Sequence, residues 1–305
     1  MKIAITGASG FIGRHVLAEL ENQHVEVVAV TRDASNLIKF GFTGQIVEFD
    51  LTEVNANSFS LFGKPDVLIH LAWEGLPNYK ALYHFETELP RQFRFLKSMI
   101  DGGLSSLLVT GTCFEYGMLS GPLSEKLVTQ PCNPYGYAKD SLRRQLEFLS
   151  SYKKFNLTWG RLFYMYGQDQ HESSLYSQIN NAVQSGRNTF NMSGGEQLRD
   201  FLPVREVARI ISLLAMCGEG KGCVNVCSGK PLSIRKLVEE WIAKNGWEID
   251  LNLGYYPYPD YEPMAFWGNR NRLDLILQRL EAKHHPDNSG GANQAPKSPT
   301  QDCTK

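Results

Sequence analysis

Residues 2 to 15 read KIAITGASGFIGRH. A run with the pattern of a buried strand ends at Thr6. Glycines follow at 7, 10 and 13, and an amphipathic helical pattern, FIGRHVLAELEN, begins inside the turn. The crown of such a turn carries almost no side chain, so a helix start can be pressed against a strand end. The next apolar run, EVVAVT, follows the helix. A strand reached through a helical crossover lies parallel to the first. The chain is thereby committed to a parallel sheet covered by helices.

The pattern continues through the first half. QIVEFD, VLIHLAW, SSLLVTG and LTWGRLFY read as further strands. Leu82, Phe85, Leu89, Phe93, Leu96 and Ile100 form one apolar stripe at helical spacing, with Pro90 inside it as a kink or break. Another helix is predicted from about Asn133 to Lys154. The fold class expected is α/β: a Rossmann-like, doubly wound parallel sheet over residues 1–166, followed by a smaller α/β lobe over 167–282. That lobe takes in the strand and helix of GCVNVCSGKPLSIRKLVEEWIAKNGW, whereas the helix around 204–217 is expected to pack back on the first unit. Residues 283–305 are nearly devoid of apolar side chains and are expected to be a disordered tail.

Acids number 32 and Lys plus Arg 31, so no global charge favours nucleic acid or an anionic membrane. No apolar stretch has the length of a membrane span, and the apolar run after Met1 stops too early for a signal peptide. The six cysteines are scattered, with no Cys/His spacing suited to a metal. Reduced thiols in a cytoplasmic protein are expected.

A helix start offers free backbone N–H groups and the positive end of a dipole. Glycines let a pyrophosphate reach them, so TGASGFIG after a strand points to a dinucleotide. The acid that grips the adenosine ribose falls at the end of the second strand in such sites. Here that strand ends VVAVTRD, with Thr31 in the acid's place and Arg32 after it. An arginine suits a 2′-phosphate, so NADP(H) is favoured, with NAD(H) left open by Asp33.

In NPYGYAKDSLRR, Tyr135 and Lys139 lie four apart, on one helix face. An ammonium near a phenol favours the phenolate, which suits Tyr135 to exchange a proton with a substrate oxygen. Tyr137 is two from Lys139, on the wrong face. Thr112 follows an apolar strand, where open α/β sheets hold ligands, and its hydroxyl can meet a carbonyl oxygen.

Together these residues resemble the extended short-chain dehydrogenases/reductases of the nucleotide-sugar epimerase/dehydratase group. TGASGFIG resembles its TGxxGxxG, Tyr135 and Lys139 its YxxxK, and Thr112 its Ser/Thr before a Tyr-Gly. RLFYMYG and LRDFLPVREVA resemble two later segments. The resemblance runs in order from Thr6 to Val207, about two thirds of the chain. It implies roles for particular residues. Gly7, Gly10 and Gly13 would cradle the pyrophosphate, with Phe11 and Ile12 of the same turn against the cofactor. Asp50 and Leu51 would border the adenine, and Leu71, Ala72 and Trp73 the cofactor's centre. Tyr135 would be the acid/base and Lys139 the ligand of the nicotinamide ribose. Thr112, Cys113 and Phe114 would face the substrate, and Arg199 its diphosphate.

Departures from the group narrow the reaction. Cys113 and Phe114 stand where dehydratases carry Asp-Glu, and Tyr164 replaces an asparagine. Glu262 replaces a phosphate-binding arginine, which directs attention to Arg270 or Arg272. The resemblance then narrows to bacterial reductases of 4-keto-6-deoxy sugar nucleotides, with a dTDP-linked substrate expected. Three alternatives stand beside it: a nucleotide-sugar epimerase, a combined epimerase/reductase moving protons with Cys113 and His171, and a dinucleotide sensor without catalysis. A homodimer is expected by resemblance only.

Overall fold

The computed structural model describes residues 1–53 and 57–284. In chain order the strands are β1 (Lys2–Thr6), β2 (Glu26–Thr31), β3 (Gln45–Glu48), β4 (Val67–His70), β5 (Ser106–Thr112), β6 (Gly121–Leu123), β7 (Asn156–Leu162), β8 (Tyr164–Tyr166), β9 (Thr189–Asn191), β10 (Leu198–Pro203), β11 (Gly222–Val226), β12 (Pro231–Ser233), β13 (Asp250–Asn252) and β14 (Phe266–Gly268). The helices are α1 (Phe11–Glu21), α2 (Ser35–Phe40), α3 (Ser58–Leu61), α4 (Leu89–Asp101), α5 (Pro134–Tyr152), α6 (Leu175–Gln184), α7 (Val204–Met216), α8 (Ile234–Asn245) and α9 (Asn271–His284).

Seven strands form one parallel sheet in the order β11-β7-β5-β4-β1-β2-β3. The chain moves outward from β1 in one direction and then returns to its other side through β4. This reversal opens a crevice above the carboxyl ends of β1 and β4, where such sheets take ligands. One face buries Val16, Leu17 and Leu20 of α1 with Val207, Ile210, Ile211 and Leu214 of α7 and Leu273 and Leu277 of α9. The other buries Phe95, Leu96 and Met99 of α4 with Leu142 and Leu146 of α5 and Trp159 of β7. Both faces are dry, which is why the central strands read as near-continuous apolar runs.

A separate core joins α6, α8, β9 and β13 around Ile179, Phe190, Leu237 and Trp241. Short strands β8, β10 and β12 form a small sheet beside it. The doubly wound sheet is as expected, and α7 does pack back on α1. The boundary at 166 does not hold for β11. GCVNV was assigned to the small lobe, yet it pairs with β7 and completes the large sheet, Gly222 opposite Thr158 through Val226 opposite Leu162. Of the expected disordered tail, Lys283 and His284 close α9; the remainder lies outside the described residues.

The stripe before Ile100 also differs. A π-turn over His84–Glu88 precedes α4, and Pro90 lies in the first turn of α4, where its missing N–H costs no bond. The extra residue in the π-turn shifts the helical phase, leaving Leu82 55% exposed while Arg91 and Gln92 turn inward. No helix among the described residues is long and apolar enough to cross a membrane.

Candidate active site

The glycine turn sits on the carboxyl end of β1. Gly7 adopts φ +72°, and a Cβ there would lie 2.8 Å from the Ala72 nitrogen, so only glycine lets the turn meet the β4 loop. A cavity of about 490 Å³ opens beside it. Gly7, Gly10, Arg32, Asp50, Leu51, Leu71, Ala72 and Trp73 all line it. Asp50 accepts from the Thr52 N–H, which holds its carboxyl below the ordinary range. Arg91 lines the same cavity, is 8% exposed, and its Nε has no partner. A bare glycine turn at a helix start, next to a buried guanidinium with an unused donor, fits a dinucleotide pyrophosphate.

A second cleft of about 840 Å³ shares Gly7, Gly10, Leu71 and Trp73 with the first and adds Phe11, Ile12, Gly13 and Phe114. It runs toward the small lobe, past Tyr79, Tyr164, His171, Tyr261 and Glu262. The two cavities form one continuous groove.

Behind its wall lies Tyr135. Asn133 caps α5 by accepting from the Gly136 N–H at 2.8 Å, and Pro134 opens the helix. A Cβ at Gly136 would meet the Phe114 oxygen at 2.7 Å, so glycine seats α5 against the turn after β5. The Tyr135 ring is boxed by Trp73, Tyr79, His84 and Phe114 at centroid distances of 5.9, 5.6, 5.3 and 6.4 Å. Its hydroxyl lies beside the Thr112 side chain.

Lys139 lies one turn on, 2% exposed. Its ammonium donates to the Thr110 carbonyl at 2.9 Å and sits 4.0 Å over the Trp73 ring. It stands 6.0 Å from the Tyr135 ring centre. Lys139 does not bring the phenol down in these surroundings. Burial pushes Tyr135 far above its ordinary value, with Tyr79 and Glu115 adding to it. The ammonium is itself destabilised: burial lowers Lys139 to about 7 against the pull of Glu115 and Glu88. Two groups withdrawn from water both favour their neutral forms.

Thr112 is held by a capping box. Its N–H donates to Glu115 Oε1 at 2.9 Å, while its hydroxyl accepts from the Phe114 N–H at 3.3 Å. Glu115 also accepts from Trp159 Nε1 at 2.9 Å and Arg161 Nε at 2.6 Å. Sequence reasoning passed over Glu115, although the T-x-x-E of Thr112-Cys-Phe-Glu carries the signal.

Four expectations are corrected. Arg199 does not line the cleft. It is 2% exposed, donates to Glu262 at 2.8 Å and to the Leu198 and Met264 carbonyls, and stacks on Phe266. Arg270 and Arg272 lie outside the cleft too, bound to Asp274 with the Cys227 carbonyl, and to the Lys221 carbonyl. Cys113 is buried behind the cleft, and burial pushes its thiol far up. The NADP(H) preference rested on a free Arg32, and here that guanidinium is paired with Glu74.

Comparison with known proteins agrees with this geometry. The family model described as "NAD dependent epimerase/dehydratase family" matches residues 3–227. The chain is 33% identical over 270 residues, 88% of its length and 99% of the relative's, to a dTDP-6-deoxy-L-talose 4-dehydrogenase (NAD(+)) of Aggregatibacter actinomycetemcomitans. It is 26% identical over 285 residues, 91% of each chain, to a GDP-6-deoxy-D-talose 4-dehydrogenase of the same organism. Among solved structures, a UDP-glucose-4-epimerase from Stenotrophomonas maltophila with bound NAD superposes with a TM-score of 0.80 at 20% identity, covering 92% of each chain. A UDP-N-acetylglucosamine 4-epimerase from Methanobrevibacter ruminantium M1 superposes with a TM-score of 0.79 at 23% identity, covering 90% and 91%. These two likenesses concern the fold.

Proposed function

The chain belongs to the NAD dependent epimerase/dehydratase family, and from that premise we propose that it interconverts a nucleotide-linked 4-keto-6-deoxy sugar and its 4-hydroxy product, working as the reductase. It is an NAD-dependent enzyme of nucleotide sugars; the reaction's direction and the dTDP-linked substrate are the proposal. The observation that carries it is the placement of Tyr135: a buried phenol beside Thr112, one helical turn before Lys139 and packed behind the cleft wall.

A protonated phenol is suited to give a proton to an oxygen that gains negative charge. When bound, the nicotinamide supplies the hydride. Thr112 and Tyr135 orient the ketone oxygen, and Tyr135 protonates it. Lys139 binds the nicotinamide ribose and places a cation beside Tyr135 once that phenol has released its proton. Trp73, Tyr79 and Phe114 exclude water from this corner. Arg199 is already spent on Glu262, so the diphosphate falls to the cleft residue Lys80, which must exchange its exposed partner Asp260 for it.

Cys113 argues against the combined epimerase/reductase reading. Moving a proton on a carbon next to the ketone needs a thiolate, and burial opposes that form. The intact Thr112, Tyr135 and Lys139 set argues against a sensor. The test is incubation with NADH and dTDP-4-keto-6-deoxyglucose in deuterated water. The expected product is a dTDP-6-deoxyhexose unlabelled at carbons 3 and 5 beyond an enzyme-free control. Enzyme-dependent label there would overturn simple reduction, and no product with any base tested would overturn the reductase.

A further inference from the structure

The acid expected at the end of β2 is missing, because Thr31 occupies its place and hydrogen-bonds Ser9. A carboxylate from the loop after β4 nevertheless lines the same cavity and meets the arginine that follows Thr31. β2 and β4 flank β1, and the glycine turn lies between their carboxyl ends. Arg32 follows β2 and Glu74 follows β4, and their side chains join in an ion pair. The pair therefore spans the groove above the glycine turn, and both residues line its cavity.

Glu74 is held in place. Its Oε2 accepts from Arg91 at 2.8 Å and from the Tyr83 hydroxyl at 2.9 Å. Its backbone N–H donates to Glu88 Oε1 at 2.9 Å, and Glu88, fully buried, also takes Gln92 and Arg91. Two carboxylates and two guanidiniums close into a set without net charge. A carboxylate has about four acceptor positions. Arg32, Arg91 and Tyr83 fill three on Glu74, leaving one on Oε1 for a further donor. A ribose hydroxyl is such a donor. A 2′-phosphate has none to offer and carries about −1.5 to −2 charges. To use Arg32, it must break the Arg32–Glu74 pair and then lie beside the carboxylate left behind.

We propose that Glu74 selects NAD(H) over NADP(H), supplying from the β4 loop the ribose carboxylate absent at Thr31 and holding Arg32 away from a 2′-phosphate. The inference rests on the dinucleotide reading of the groove and adds the residue that discriminates.

Direct binding tests it, by calorimetric titration of NADH and NADPH into the wild type, Glu74→Gln, Arg32→Ala and the double variant. The wild type should bind NADH at least about tenfold more tightly, the scale of one charge-assisted bond. Glu74→Gln should shrink that ratio about tenfold, mainly by tightening NADPH as Arg32 is released. Adding Arg32→Ala to it should remove the NADPH gain. Arg32→Ala alone, at a 65% exposed side chain, should fold normally and leave NADPH affinity nearly unchanged. A selective loss of NADPH binding in Arg32→Ala would make Arg32 the phosphate ligand and overturn the proposal. An equal loss of both cofactors in Glu74→Gln would reduce Glu74 to a structural anchor and overturn it too. If neither cofactor bound the wild type, the dinucleotide reading itself would fall.

Discussion

Removing the charge of Glu115 tests whether the turn that presents Thr112 depends on one buried carboxylate. Glu115 is fully buried and Arg161 is 2% exposed. Arg161 Nε meets Glu115 at 2.6 Å, its NH1 has no partner, and the guanidinium lies 4.5 Å over Tyr116. Burial opposes the Arg161 charge, and Glu115 outweighs it. Breaking such a pair from one side costs about 3–5 kcal/mol, because the remaining ion has lost its solvent and its counter-ion. Glu115→Gln keeps the volume and an acceptor for Trp159 or Thr112, so about 3 kcal/mol is expected, a sizeable part of a domain's roughly 5–15 kcal/mol. Urea denaturation followed by circular dichroism reads it. Glu115→Leu with Arg161→Met should recover only part of the loss, since it removes the stranded ion but leaves the buried Thr112 N–H and Trp159 Nε1–H without their acceptor. Turnover should stay low in that double variant, because the Thr112 N–H has lost its acceptor. A Glu115→Gln loss below about 1 kcal/mol, the scale of one ordinary hydrogen bond, would refute this account of the turn.

Tyr135→Phe should lower turnover by about 10²-fold or more, the scale of a lost proton donor, with NADH affinity by titration nearly unchanged. Lys139 falls to about 7 in the folded chain from an ordinary 10.5. The unfolded chain therefore holds the extra proton between those values, and stability declines as pH falls from 10.5 toward 7. Lys139→Met should accordingly unfold at higher temperature than wild type at pH 7, and the advantage should vanish toward pH 10.5; an advantage independent of pH would contradict the sign. Arg199→Ala should destabilise the fold by about 3 kcal/mol through stranding Glu262, as read by urea denaturation. An effect confined to KM would instead restore Arg199 as a substrate ligand.

The doubly wound sheet was legible because each central strand is buried on both faces and each crossover carries its own apolar stripe. The glycine turn and the Tyr135–Lys139 pair were legible for a similar reason: their geometry is local, set by a turn and by one helical repeat. The misreadings share the opposite property. Arg32 is paired with Glu74, 42 positions away, and Arg199 with Glu262, 63 away. A charge in sequence looks available until its tertiary partner is placed. The assignment of β11 to the small lobe failed likewise, because a short apolar strand carries no mark of the sheet it joins. The Tyr135 phenol went up because burial, a property of the whole fold, outweighed a neighbour four residues on.

Tyr164 and Glu262 depart from the family pattern at separate places in the sequence, yet in space they are one change. The Tyr164 hydroxyl donates to Glu262 Oε2, and the same oxygen accepts from Arg199 Nε at 2.8 Å. An arginine at 262 would set two buried guanidiniums against each other, which the low-dielectric surroundings make costly. With glutamate there, Arg199 is neutralised, and a tyrosine at 164 supplies a second donor to the carboxylate. An asparagine is too short to reach across the same gap without moving β8. The altered residues thus stabilise one another and tie β8 and β10 to the segment before β14. In exchange, the cleft wall carries a carboxylate and a phenol where the family pattern would put a cation. A sugar ring edged with hydroxyl donors suits that wall better than a diphosphate does.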